Sequence, residues 1–155
     1  MTFSRRRFLP FAAAAAAGGC LALAAPASAQ PGSYLSRSQA AKLRVQIAAL
    51  PPDARAEFAR RYQAWRKTWS SPAIAVLSDS AAVRRSDEFA ALIALGAPIL
   101  PLLIEKIARP AEFFALQAYE ALKPEWPTTI DRNGERVFES EQAKARRAVR
   151  DWFAP

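Results

Sequence analysis

The chain has 155 residues, 22 basic and 14 acidic, with a formal net charge of +8, one cysteine and no histidine. The missing histidine excludes Ser-His-Asp and Cys-His catalysis and every histidine-ligated metal site, leaving carboxylates, lysine, tyrosine and hydroxyls for chemistry. With no glycine-rich phosphate loop and no cysteine cluster, neither a cofactor nor a metal site is expected.

The first element reads as an address label. Arg5, Arg6 and Arg7 form a positive region, and Phe8 to Leu23 form an alanine-rich apolar run. Ala27-Ser28-Ala29 then supplies the small residues that a signal peptidase pocket requires. Cleavage before Gln30 follows, giving a signal over residues 1–29 and a single α-helical domain over 30–155. A spanning helix wants about 20 strongly apolar residues. This run is mild and carries Gly18 and Gly19, so no membrane span is expected in the mature chain.

Ser4, Arg5, Arg6, Phe8 and Leu9 resemble the twin-arginine signal motif, with Pro10 where that pattern often has lysine. The resemblance implies that the twin-arginine export machinery reads the precursor and delivers an already folded protein to the periplasm or beyond. Cys20 offers a second outcome, acylation as a lipoprotein, with Ala17 standing where such processing usually has leucine. The cut-site logic favours Gln30 as the new N-terminus. The mature chain then has no cysteine, and with it no disulfide or thiol chemistry.

Loss of residues 1–29 removes three arginines and no acid, leaving 126 residues with 19 basic against 14 acidic. That length supports one domain with a real core. Nucleic acid is not an expected partner, because arginine enrichment beside abundant alanine tracks base composition and the address lies outside the cytoplasm. An envelope protein or an anionic envelope polymer is the expected partner.

A first helix is predicted over 36–49, with Ser36 and Gln39 at capping-box spacing and Leu43, Ile47 and Leu50 on one face. Pro51-Pro52 stops it. A stronger helix runs from Pro52 to Trp69, where Ala54, Phe58, Tyr62, Trp65 and Trp69 recur at steps of three or four. Its other face carries Arg55, Arg60, Arg61, Arg66 and Lys67. An aromatic platform with basic flanks suits single-stranded nucleic acid. A core-facing stripe with a solvated back is the plainer account and the expected one.

Ser71 and Pro72 open a short helix with Ile74 and Leu77 inward. Ser86 caps another over an Asp87-Glu88 first turn, with Phe89, Leu92, Ile93 and Leu95 inward and Gly96 at its end. Pro98 opens a helix that is apolar almost without a break through Ile99, Leu100, Leu103, Ile104 and Ile107. Arg109-Pro110 ends it. A second helix carries Phe113, Phe114, Leu116, Tyr119 and Leu122 before Lys123-Pro124. Such a pair cannot bury its faces alone and must stack on neighbours.

Gly96, Pro98, Leu100, Leu102 and Leu103, followed by Ala118, Ala121 and Leu122, resemble a HEAT-like helical repeat. The resemblance implies one or two degenerate repeats inside a compact all-α bundle of about six helices. Asn133-Gly134 either joins a small β-hairpin over 128–138 or sits in a plain loop. Ser140 caps a last helix with Ala145, Ala148 or Val149, and Trp152 inward. Lys144, Arg146, Arg147 and Arg150 face outward.

Three functions compete. The first is a non-enzymatic interaction or scaffold module of the cell envelope, which the export signal, the helical stripes and the missing catalytic residue types favour. The second is a carboxylate hydrolase of an envelope polymer, drawing on Glu125, Asp131, Glu135, Glu139 and Glu141, with only Glu125 beside Trp126 and Glu120 beside Tyr119 in an apolar setting. That chemistry needs two carboxyls about 5–10 Å apart, one with a raised pKa. The third is a binder of anionic lipid or polysaccharide through Arg55, Arg60, Arg61, Arg66 and Lys67, whose affinity would fall steeply with salt.

Overall fold

Ser36 starts the first helix as its spacing predicts. In the computed structural model, which describes residues 32–69, 83–126, 134 and 137–155, its Oγ accepts from the Gln39 amide at 3.2 Å. The Gln39 side chain accepts in return from the Ser36 amide at 2.9 Å. Helix α1 spans Arg37–Ala48 and buries Leu43. Helix α2 spans Pro52–Thr68 and buries Phe58, Tyr62 and Trp65. Its Pro52 gives up only an amide that would have no intrahelical partner.

Ser86 caps α3, Asp87–Ile93, by accepting from the Phe89 amide at 3.1 Å. Gly96 has φ +71, a left-handed value that favours glycine because it has no Cβ. The chain bends there by 90°. The helix expected from Pro98 begins instead as a 3-10 turn, Ala97–Ile99, and becomes regular only in α4, Leu100–Ile107. Pro101 falls in the first turn of α4, where a missing amide costs little.

Helix α4 is the hub. It packs against α1, against the segment Pro110–Ala115, and against the two last helices, α5 (Leu116–Leu122) and α6 (Glu141–Trp152). Neighbours on so many sides explain a helix that is apolar almost all round. Leu103, Ile104 and Ile107 have no exposed surface, each burial being worth about 1.5–3 kcal/mol. Ala145 and Ala148 are also fully buried, and their small size lets α6 lie close to its neighbours. Ser140 caps α6 by accepting from the Ala143 amide at 3.2 Å.

The second helix of the Pro98–Lys123 pair is shorter than its periodicity suggests. Pro110–Ala115 is a 3-10 segment, and Glu112 within it has φ −117 and ψ 22, outside helical values. Phe113 and Phe114 therefore lie in the 3-10 segment rather than in α5. Glu112 also turns its side chain inward to meet Tyr62.

The described residues form an all-α bundle of six α-helices around one hydrophobic cluster, with no strand among them. No single described helix is long and apolar enough to cross a membrane. The short helix expected at Ser71 lies outside the described residues, as does most of the segment expected to form a hairpin at 128–138. Val137 and Phe138 are described, and neither belongs to a regular element.

Candidate functional site

The basic residues on the outer face of α2 have different partners. Arg60 and Arg61 both grip Glu57, at 2.6 Å and 2.5 Å. The hydrogen bonds from Arg60, then Arg61, pull the Glu57 carboxyl down to about 2, and the bond to Glu57 raises the Arg60 value in turn. Arg61 also donates to the Ala91 carbonyl on α3. These two arginines line an open cleft of about 350 Å3 opposite Asp87 and Glu88. The cleft therefore carries both signs of charge. Arg55 is half-buried, Lys67 is exposed, and Arg66 turns to a different partner.

That partner is Glu112, the one charged residue buried among the described residues. Its Oε2 accepts from the Tyr62 hydroxyl at 3.0 Å and has the Lys106 ammonium at 3.9 Å. Its Oε1 has Arg66 Nη1 at 3.6 Å and Arg109 Nη1 at 3.9 Å. Lys106 Nζ also stands 5.1 Å from the Tyr62 ring centroid, a cation-π contact that holds it beside the carboxylate. Burial first, then the adjacent Glu112 charge and hydrogen bond, push the Tyr62 hydroxyl well above its ordinary 10. Tyr62 is thus a neutral hydrogen-bond donor at any physiological pH.

Four elements meet at this junction: α2, α4, the Arg109 break and the 3-10 segment. Sequence patterning picked out Arg66 and Tyr62 for other reasons and missed Lys106, Arg109 and Glu112. A glutamate two residues after Pro110 has the pattern of an ordinary first-turn acid, so no local signal distinguishes it.

The described carboxylates of the hydrolase reading are tied to cations, and two of them, Glu120 and Glu141, line one cleft together with Lys144. Glu120 meets Arg84 at 3.2 Å, Glu125 meets Lys123 at 3.6 Å, and Glu141 meets Lys144 at 2.8 Å. The bond to Glu141 raises the Lys144 value above its ordinary one. Asp131 and Glu135 lie outside the described residues.

Glu139 meets Arg147 at 3.0 Å, and here one expectation is corrected. Arg147 does not face outward: its side chain is only 11% exposed. The guanidinium lies over the Trp126 ring at 3.9 Å, and Asp151 stands 3.9 Å away. Trp126 in turn donates to Asp151 at 3.3 Å and packs edge-on against Tyr119. Burial, then the Asp151 and Glu125 charges, push the Tyr119 hydroxyl up to about 12. An aromatic ring supplied from outside the helix draws Arg147 inward.

The aromatic stripe of α2 is core. Trp65 is fully buried, with the rings of Phe89, Tyr62 and Phe114 centred 5.3, 5.9 and 5.9 Å away. The end of the stripe reaches a cleft of about 300 Å3 floored by Trp69, Phe113 and Phe114, with Arg84, Glu120, Glu141 and Lys144 among its lining.

Among the described residues no group of three or more acidic, histidine or cysteine side chains could hold a metal ion. Compared with protein-family models, with curated proteins and with solved structures, the chain matches none.

Proposed function

We propose that the chain is an exported, non-enzymatic interaction or scaffold module of the cell envelope. The observation that carries this reading is the state of the carboxylates: Glu120, Glu125, Glu139 and Glu141 each stand beside a cation. A general acid needs instead an environment that raises its pKa. The chain has no histidine to take that role. The twin-arginine-like motif at Ser4, Arg5, Arg6, Phe8 and Leu9 supports export, and Ala27 and Ala29 support cleavage before Gln30.

Two measurements test it. In fractionated cells the mature protein should lie outside the inner membrane, begin at Gln30 and carry no acyl chain by intact mass. Changing Arg5 and Arg6 together to lysine should leave precursor in the cytoplasm. Undiminished export would instead indicate the general secretory route, and a lipid on Cys20 would make the protein a lipoprotein. Purified residues 30–155 should also bind envelope material without releasing soluble fragments from it. Fragment release that disappears in Glu139→Gln or Glu125→Gln would make the chain a hydrolase.

One observation favours the anion-binding alternative as a second reading. Arg66 has left the α2 face to converge with Lys106 and Arg109, whereas Arg60 and Arg61 are committed to Glu57.

A further inference from the structure

Three cations surround Glu112, and none of them is within hydrogen-bonding range of it. The closest, Arg66, stands at 3.6 Å, and Lys106 and Arg109 at 3.9 Å, whereas charge-assisted bonds form at about 2.7–2.9 Å. Only Tyr62 hydrogen-bonds this carboxylate among the described residues. The second anion nearby, Glu105, stands 3.7 Å from Arg109, again beyond a good bond. Counting Glu105, the junction has three positive charges against two negative ones.

Exposure orders these groups by depth. The Glu112 side chain is 11% exposed and Lys106 19%, whereas Arg109 is 40% and Arg66 47% exposed. An anion arriving from solvent therefore meets two guanidinium forks first, with an ammonium behind them. Both forks place an Nη1 within 4 Å of the same Glu112 oxygen, close enough together for one small anion to touch both.

We infer that Arg66, Lys106 and Arg109 form a binding site for a phosphate group. A phosphate monoester carries about −1.5 to −2 charges at neutral pH and three acceptor oxygens, which matches three donors converging from three different elements. Arginine forks bind such oxygens in pairs, and lysine binds as a point charge. Glu112 has two roles in the site. Its charge holds three like-charged side chains together in the empty protein, and it opposes a second anion, keeping affinity moderate. The two clefts described above each carry both signs of charge.

The phosphate can come from a free anion, a soluble ester or a lipid headgroup, and the chemistry at the three cations is shared. The site refines the anion-binding reading. It does not depend on export, since purified protein suffices to test it.

Titrating inorganic phosphate into purified residues 30–155, at ionic strength held constant with sodium chloride, should give saturable binding by calorimetry. Arg66→Gln with Arg109→Gln should weaken it at least tenfold, whereas Arg60→Gln with Arg61→Gln should leave it within twofold. Glu112→Gln keeps an acceptor for Tyr62 but removes a negative charge, so affinity should rise several-fold. A purely structural junction predicts no such gain. Sedimentation with phosphatidylglycerol vesicles then separates the sources: loss of vesicle binding in the Arg66/Arg109 variant assigns the lipid, and phosphate binding without vesicle binding assigns a soluble anion. Absence of saturable phosphate binding up to 50 mM, or its persistence in the folded double variant, overturns the site. Circular dichroism of each variant establishes that it is folded.

Discussion

Helices α2 and α6 share one pattern in sequence, an inward stripe backed by basic residues, and they use their arginines differently. On α2, Arg60 and Arg61 find an acid three and four residues away on their own helix. On α6, Arg147 has Asp151 four residues on at 3.9 Å, yet Glu139 is closer at 3.0 Å and the Trp126 ring, from another segment, lies against its guanidinium at 3.9 Å. A local acid keeps a cation on the surface, and an aromatic ring supplied by another segment draws one in. Helical spacing predicts the first because both partners lie on one helix. The second depends on where a remote loop places its tryptophan.

The largest test of this contrast is the buried stripe itself. Trp65→Ala should cost about 3–5 kcal/mol and lower the melting temperature by more than about 10 °C. Trp65→Phe should cost less than half as much, because it keeps most of the ring volume and removes an indole N–H that is buried without a hydrogen-bond partner among the described residues. If Trp65→Ala melts like the parent but loses binding to an envelope ligand, the stripe is a binding surface and its assignment to the core is wrong.

A second test uses alkali. The folded Tyr119 value, about 12, lies above its ordinary 10, so the unfolded chain loses that proton first. The associated stability is complete below pH 10 and disappears as pH rises from 10 to about 12, about 3 kcal/mol in all. Tyr62 adds to the same loss on the α2 side. Tyr119→Phe should flatten the stability profile between pH 10 and 12 in denaturant titrations, and an unchanged profile would place the alkaline sensitivity with Tyr62.

The two arginine environments should separate in mutants. Arg147→Ala removes the ion pair with Glu139 and uncovers the Trp126 face, at about 1–3 kcal/mol after allowing for partial exposure. Arg150→Ala, four-fifths of a turn further along the same helix by residue spacing and 73% exposed, should move the melting temperature by less than about 2 °C. Equal effects from the two would remove the distinction between buried and solvated arginines on α6.

The smallest effect belongs to the exposed α2 pairs. Glu57 falls from an ordinary 4.5 to about 2 on folding, so its contribution is present above pH 4.5 and is lost as pH falls toward 2. Solvent and salt screen these groups. Arg60→Ala, at the 69% exposed member of the pairs, should therefore leave stability at pH 7 nearly unchanged and reduce only its slope between pH 4.5 and 2.

Much of the bundle was legible without coordinates because its rules are local. Ser36, Ser86 and Ser140 each cap a helix through an amide three residues on, and Pro51-Pro52 separates two helices by removing amides. The Phe58, Tyr62 and Trp65 stripe follows from 3.6 residues per turn, and the near-continuous apolar run of α4 already implied a helix with neighbours on many sides. What tertiary structure alone decided is the fate of polar side chains whose partners lie far along the chain. Tyr62 and Glu112 are 50 residues apart, and their bond accompanies the 3-10 segment that replaces the first turn of the expected helix. The same contact gathers Lys106 and Arg109 with Arg66, one residue of a face that looked uniform, and Trp126 buries an arginine that periodicity placed in solvent. A buried charge must find its counter-charge wherever the folded chain brings one, and short-range periodicity carries no record of that meeting.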